Sequence, residues 1–269
     1  MLLPTRNLIV FEMLLGGSPN GNLPFGQLLA KTTTDFTVPA GVTDISGVAI
    51  GGGGGNSRGN TIGGSGGDLR WRNHIAVIPG EVLSLITGVV TAAGKPGTSS
   101  KIIRKSTGEV LLIAKGGDST DVSTPINGAD IGGGNGGVGT NPSGGGAGGY
   151  TGNGGKGGSA ADVDSGGGGG GSSYTFSGNS FGCGGGGIYP NGKGADGGAP
   201  PVNTGSQAFG GRGGSGGNPG QNTNGGLYGG GAGAPIRITY ATTGTAGCIR
   251  LIWGSGRAFP ATKTADITA

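Results

Sequence analysis

One histidine, two cysteines and three glutamates are what this chain of 269 residues offers to acid–base, thiol or metal chemistry, besides scattered aspartates. His74 stands in the middle of an alternating, strand-like run, where a lone imidazole reads as a structural or surface group and not as a general base. Glu12, Glu81 and Glu109 each sit beside apolar residues in separate segments, so the sequence pairs no two of them across one cleft as glycoside hydrolysis requires. Asp162 and Asp164 would need a partner brought in by a distant turn. No Gly-x-Ser-x-Gly elbow joins a strand to a helix, and no Cys/His cluster has metal-ligand spacing. Gly-x-Gly-x-x-Gly matches are numerous, but this glycine content produces them by chance and no βαβ pattern surrounds them. Asn127-Gly128-Ala129-Asp130 is an unrepeated fragment of the calcium β-roll motif. Cys183 and Cys248 leave one disulfide open, but two cysteines are no disulfide framework and read rather as small buried thiols. The expectation is a non-enzymatic protein with no catalytic residues, no metal and no cofactor.

The remaining chemistry is that of recognition. Tyr174, Phe176 and Phe181 occur among Ser, Thr, Asn and Gly, and Tyr189, Asn191 and Lys193 follow within one short cluster. Phe209 and Asn222 belong to two further clusters of the same type. A flat ring beside small polar groups supplies contact area and adaptable hydrogen bonds, the composition of binding loops, and such rings also stack on sugar faces. The same aromatics read equally as plugs that close the ends of a scaffold.

That scaffold is glycine. Seventy-four residues are glycine, and residues 116–234 are roughly two-fifths glycine. Each costs about 1 kcal/mol in regular structure relative to alanine, so the stretch is either unfolded or folded where only glycine fits. Isolated large side chains within it, and a Gly-Gly-X rhythm as in Gly154-Gly155-Lys156-Gly157-Gly158, favour the second reading. A period of three matches an extended left-handed helix with three residues per turn. Glycine at two of three positions lets such polyglycine type II helices pack side by side and pair their backbones. Proline is too sparse for collagen.

The flanking sequence is β-like. Two strands surround Pro39-Ala40-Gly41, the run about His74 alternates before the Pro79-Gly80 turn, and residues 81–90 form another apolar run. Residues 101–104 and 109–114 read as a hairpin, residues 236–240 and 247–253 as further strands, and no segment has sustained helical periodicity. The fold class read from this pattern is mainly β: a β-sandwich interrupted by a glycine-rich block of packed polyglycine type II helices. Its divisions are a segment 1–33, sandwich strands in 34–115, the glycine block 116–234, and completing strands with a tail in 235–269. The first segment carries Leu8, Ile9, Val10 and Phe11, which read equally as one more strand or as a docking segment. It is too short and too interrupted by Glu12 for a membrane span or signal peptide, so no membrane insertion is expected. A net charge of +4 on a chain with 11% charged residues, without a basic aromatic stripe, argues against nucleic acid. The pairs Arg70/Arg72 and Lys101/Arg104/Lys105 read as solvated strand faces.

Three segments and the C-terminal ending carry a resemblance. Phe36-Thr37-Val38-Pro39-Ala40-Gly41-Val42-Thr43 runs on to the glycines 51–55. Residues 66–88 and Ser106-Thr107-Gly108-Glu109-Val110-Leu111 follow, and the chain closes on Gly247-Cys248-Ile249-Arg250-Leu251-Ile252-Trp253-Gly254 with Gly256-Arg257 and Phe259-Pro260. These segments resemble glycine-rich structural proteins of tailed bacteriophages, and the 116–234 block is similar to tail-fibre-tip adhesins with stacked polyglycine helices. The resemblance implies a virion location, contacts with other virion proteins, and a possible homo-oligomer. It also implies a bacterial surface receptor, glycan or outer-membrane protein, met by the loops. A capsid decoration or fibre-shaft protein without a receptor is the alternative it leaves.

Overall fold

Alternating β-branched and aromatic residues bounded by Gly and Pro turns give eleven strands and no helix among the described residues. The computed structural model describes residues 24–56, 62–89, 94–176, 179–200, 209–220, 224–234 and 242–261. Two antiparallel sheets dominate. One has the order β1 (Gly26–Ala30), β11 (Cys248–Trp253), β3 (Asp44–Ile50), β4 (Leu69–Ala76), β8 (Ile131–Gly134). The other runs β2 (Thr34–Thr37), β5 (Val82–Ile86), β6 (Ser100–Arg104), β7 (Val110–Ala114), and β9 (Ser173–Phe176) pairs with β10 (Asn179–Gly182) as a separate hairpin.

Mainly β is therefore the fold, and the expected 101–114 hairpin forms with Gly108 at φ 74° in its turn. The strands around Pro39-Ala40-Gly41 also form, but they do not pair: β2 lies in one sheet and β3 in the other, so the turn is a crossover between layers. β1, β8 and the β9–β10 hairpin go beyond the sequence reading, which took residues 174–181 for a turn cluster. The strand expected at 236–240 lies outside the described residues, as do Leu8, Ile9, Val10 and Phe11.

A first core fills the space between the sheets, with Phe36, Ile45, Ile75, Leu85, Ile102, Leu112, Leu251 and Trp253 all buried. A second core covers the other face of the five-stranded sheet, where Val48, Ile50, Leu69, Trp71, Cys248 and Ile252 meet Tyr150, Ile188, Tyr228 and Phe259. At about 1.5–3 kcal/mol for each large apolar side chain, these two layers are the main source of stability.

The sheet keeps both faces apolar through a register change in β4. Leu69 and Trp71 face the second core, yet Ile75 and Val77, at positions of the same parity, face the first. Opposite the step from Ile45 to Gly47, β4 advances from Ile75 to Arg72, so an extra residue bulges out and reverses the alternation. His74 sits in that bulge with φ 52°, exposed between Asp44 at 3.5 Å and Asp130 at 3.9 Å. Asn73 beside it is buried and exchanges two hydrogen bonds with the Phe259 backbone, at 2.6 and 2.9 Å, fixing the C-terminal segment against the sheet.

Candidate functional site: a glycine lattice and its ends

The strands do not stop where their side chains do. β3 runs directly into residues 51–56, residues 63–68 lead into β4, and residues 242–247 lead into β11, so the sheet is prolonged by glycine. Hydrogen bonds in these runs repeat every third residue. Gly51 and Gly54 donate to Asp68 and Ser65, Gly52 and Gly55 to Thr98 and Lys95, and Gly53 and Asn56 to Thr245 and Thr242. Each run thus pairs with three others by donation alone, whereas a sheet strand pairs with two.

The run 144–149 shows the full pattern. Gly144 and Ala147 donate to Cys183 and Gly186, Gly145 and Gly148 to Gly64 and Gly67, Gly146 and Gly149 to Gly155 and Gly152. Its carbonyls accept from Gly171, Gly231, Gly137 and Gly168, which belong to three further runs. Six neighbours around one run leave no room for side chains: a methyl on Gly145 would lie 1.8 Å from the Gly137 oxygen, and one on Gly146 2.0 Å from that of Gly168. Net backbone hydrogen bonds contribute about 0.5–1.5 kcal/mol each, against about 1–2 kcal/mol to fix each backbone unit. Such a lattice is marginal alone and depends on its attachment to the two apolar cores.

The lattice separates the sequence-predicted contact residues. The run 182–188 has the β9–β10 hairpin at one end and Ile188 in the second core at the other. Tyr174, Phe176 and Phe181 belong to the hairpin, with Phe181 opposite Tyr174 and Phe176 opposite Asn179. Phe209 is beside it, its backbone N–H donating to Ser172 Oγ at 2.6 Å and its carbonyl accepting from the Ser172 N–H at 2.9 Å. Asn222 lies outside the described residues.

Tyr189, Asn191 and Lys193 stand elsewhere, in a loop lying on the second face of the sheet. Tyr189 is half-buried and meets Tyr228 edge-on, ring centroids 5.8 Å apart. The Tyr150 hydroxyl donates to the Tyr189 carbonyl at 3.1 Å and accepts from the Gly192 N–H at 2.9 Å. Asn191 accepts from Arg250 at 3.1 Å, and Lys193 pairs with Asp164 at 3.4 Å. Each of these three side chains thus has a partner within the molecule. Arg250, buried in β11, is the residue that sequence reading missed; its place between apolar residues of an alternating strand was the available signal.

Cys183 and Cys248 are both free and buried, one near the hairpin end of the lattice and one at its junction with the sheet. Burial pushes the Cys183 thiol up to about 11. Arg70 corrects the reading of solvated basic pairs: it is buried, donating to the carbonyls of Thr124, Leu69 and Gly134 and to Asn135 Oδ1. Lys101, Arg104 and Lys105 do lie on more open strand faces, paired with Asp121, Glu81 with Glu109, and Asp35. Among the described residues, no three His, Cys, Asp or Glu side chains gather to hold a metal ion, and no helix is long and apolar enough to cross a membrane.

A sandwich whose strands continue as hydrogen-bonded glycine runs defines a glycine-rich β protein. A family model described as a glycine-rich domain matches residues 29–254, and the chain belongs to that family. Comparison with curated proteins finds no match.

Proposed function

We propose that this protein is a structural component of a bacteriophage virion, a tail-fibre or tail-tip adhesin that meets the bacterial surface through the hairpin end of its lattice. In this reading the runs with three-residue hydrogen-bond periodicity are polyglycine type II helices. One observation supports the proposal: the start of β1 and the β9–β10 hairpin lie at opposite ends of the sandwich and its glycine runs. β1 pairs with β11 so that Gly26 lies opposite Trp253, at the sandwich end remote from the lattice. The β9–β10 hairpin and Phe209 stand at the opposite pole, beyond the glycine runs. An attachment end and a contact end on opposite sides of the glycine runs suit a fibre tip, with other virion proteins held at one and a glycan or outer-membrane protein met by the other.

The test exchanges residues 173–182 for a Gly/Ser hairpin of equal length in the intact particle and measures adsorption to host cells. Loss of adsorption by particles that still assemble supports the reading. Unchanged adsorption overturns it in favour of a capsid decoration or fibre-shaft role.

A further inference from the structure

A second candidate site shares no lining residue with the hairpin. The loop 115–124 crosses over residues 63–68 and 134–138 and leaves a groove of about 460 Å³ at the junction of sandwich and lattice. That volume is within the range of small-ligand sites, about 300–1,000 Å³. Its charges largely cancel: Asp68 lies 3.7 Å from Arg70, and Asp121 lies 3.3 Å from Lys101. What remains is one acceptor and two donors. The Asp118 carboxylate is fixed by the Ser65 N–H at 2.9 Å and the Ser65 hydroxyl at 2.6 Å, and its oxygens keep lone pairs for further bonds. Among the described residues the Lys115 ammonium has no partner, and Asn135, whose Oδ1 is held by Arg70 at 2.5 Å, keeps its amide N–H groups free.

Two exposed valines, Val122 and Val138, form the rim, at 78% and 66% exposure. The wall is backbone that cannot yield, since a methyl on Gly136 would lie 2.1 Å from the Gly66 oxygen. Asp118 is itself held at φ 60°, a conformation that costs a non-glycine residue energy and is kept here by the Ser65 clamp.

We infer that this groove binds a neutral, hydroxyl-rich ligand, a short saccharide. Hydroxyl groups both donate and accept, so adjacent positions on one ligand satisfy Asp118 on one side and Lys115 with Asn135 on the other. A polyanion would meet the Asp118 carboxylate, and a polycation would meet the Lys115 ammonium. The valine rim suits the C–H face of a sugar ring. The site is independent of the hairpin end and of its proposed role.

The experiment applies the purified full chain to a printed array of neutral and acidic bacterial oligosaccharides. Binding to neutral glycans is expected, reduced about tenfold or more in Lys115→Ala and in Asp118→Asn, the loss of roughly one hydrogen bond to a charged group. Asparagine tolerates the left-handed backbone at residue 118. Should either substitution lower the melting temperature, Val122→Trp, at an exposed rim position, fills the mouth and gives the same loss without touching the interior. A chain with its 173–182 hairpin replaced keeps the binding, which distinguishes this site from the contact end. No glycan binding, binding to acidic glycans alone, or binding that survives Val122→Trp with either groove variant overturns the inference.

Discussion

Arg250 Nη1 lies 3.1 Å from Asn191 Oδ1 and 3.2 Å from the Pro190 carbonyl, so a buried guanidinium in the sheet holds the loop 188–193. Its Nη2 donates to Gln27 on β1. One side chain of β11 therefore joins the edge strand to the loop on the sheet's second face. The planar fork of arginine makes this possible, because its donors diverge in one plane toward separate acceptors.

Lysine in that place keeps the charge and loses the fork. Arg250→Lys is expected to destabilise the fold by about 2–4 kcal/mol, since buried acceptors lose a charged donor. Amide exchange at Gly192 and Lys193 should accelerate before global unfolding does. Equilibrium denaturation and hydrogen exchange measure the two effects. Unaltered exchange in the loop would mean that the Tyr150 hydroxyl and the Pro260 carbonyl hold it instead.

The lattice makes a sharper demand, because identical substitutions have opposite outcomes at two glycines. Gly146→Ala places a methyl 2.0 Å from the Gly168 oxygen, inside the six-neighbour run, and is expected to cost more than about 3 kcal/mol or prevent folding. Among the described residues, a methyl on Gly198 meets only the Arg212 side chain, 3.4 Å away. Gly198→Ala should be neutral or stabilising by up to about 1 kcal/mol, through the lower entropy of the unfolded chain. Melting temperatures of the pair decide whether packing or glycine's flexibility sets the composition.

The sequence made the sandwich legible wherever a strand has a period of two and a turn residue beside it, as in β3, β4, β6 and β7. It concealed β8, whose Ile131-Gly132-Gly133-Gly134 carries almost no side-chain pattern and pairs because Gly132 lets the Trp71 ring lie against it. The β4 bulge was hidden too, since odd positions alternate smoothly in sequence while changing faces in space. The three-residue rhythm was legible in the glycine block. That the lattice includes residues 51–56, 63–68 and 242–247 was not, because their partners lie up to about two hundred residues away. Of the contact residues, sequence supplied the types and not the commitments: Tyr189, Asn191 and Lys193 look free in sequence and are engaged in the fold.

Burial raises the thiol pKa of Cys183 to about 11, and it raises those of Cys248, Tyr150 and Tyr228 further. In the unfolded chain thiols ionise near about 8.5 and phenols near about 10. Across that interval the unfolded state has lost protons that the native state retains, so native stability is complete below about pH 8 and falls as pH rises. Denaturant midpoints between pH 8 and pH 11 should fall steadily, and Cys183→Ala with Cys248→Ala should flatten the first part of the decline. Both thiols should resist alkylation at pH 8 until the protein unfolds.

The proposed attachment end gives the last prediction. β1 begins with Gly26 opposite Trp253, and Arg257 donates to the Gly26 carbonyl, so the strand is anchored from its first residue. A methyl on Gly26 would fall 2.4 Å from the Trp253 ring, which shows how closely the indole covers it. Removing residues 1–23 leaves all of these contacts in place. The shortened chain is therefore expected to keep the β1–β11 pairing, checked by amide exchange in β1. If residues such as Leu8, Ile9, Val10 and Phe11 attach the protein to its neighbours in the particle, the shortened chain should be missing from assembled virions, measured by mass spectrometry of purified particles. Normal incorporation would move the attachment surface onto the sandwich itself, where the four-stranded sheet offers Lys105 paired with Asp35 and Ser84 bonded to the same carboxylate at 2.8 Å. A charge reversal at Asp35 would then be the substitution that blocks incorporation.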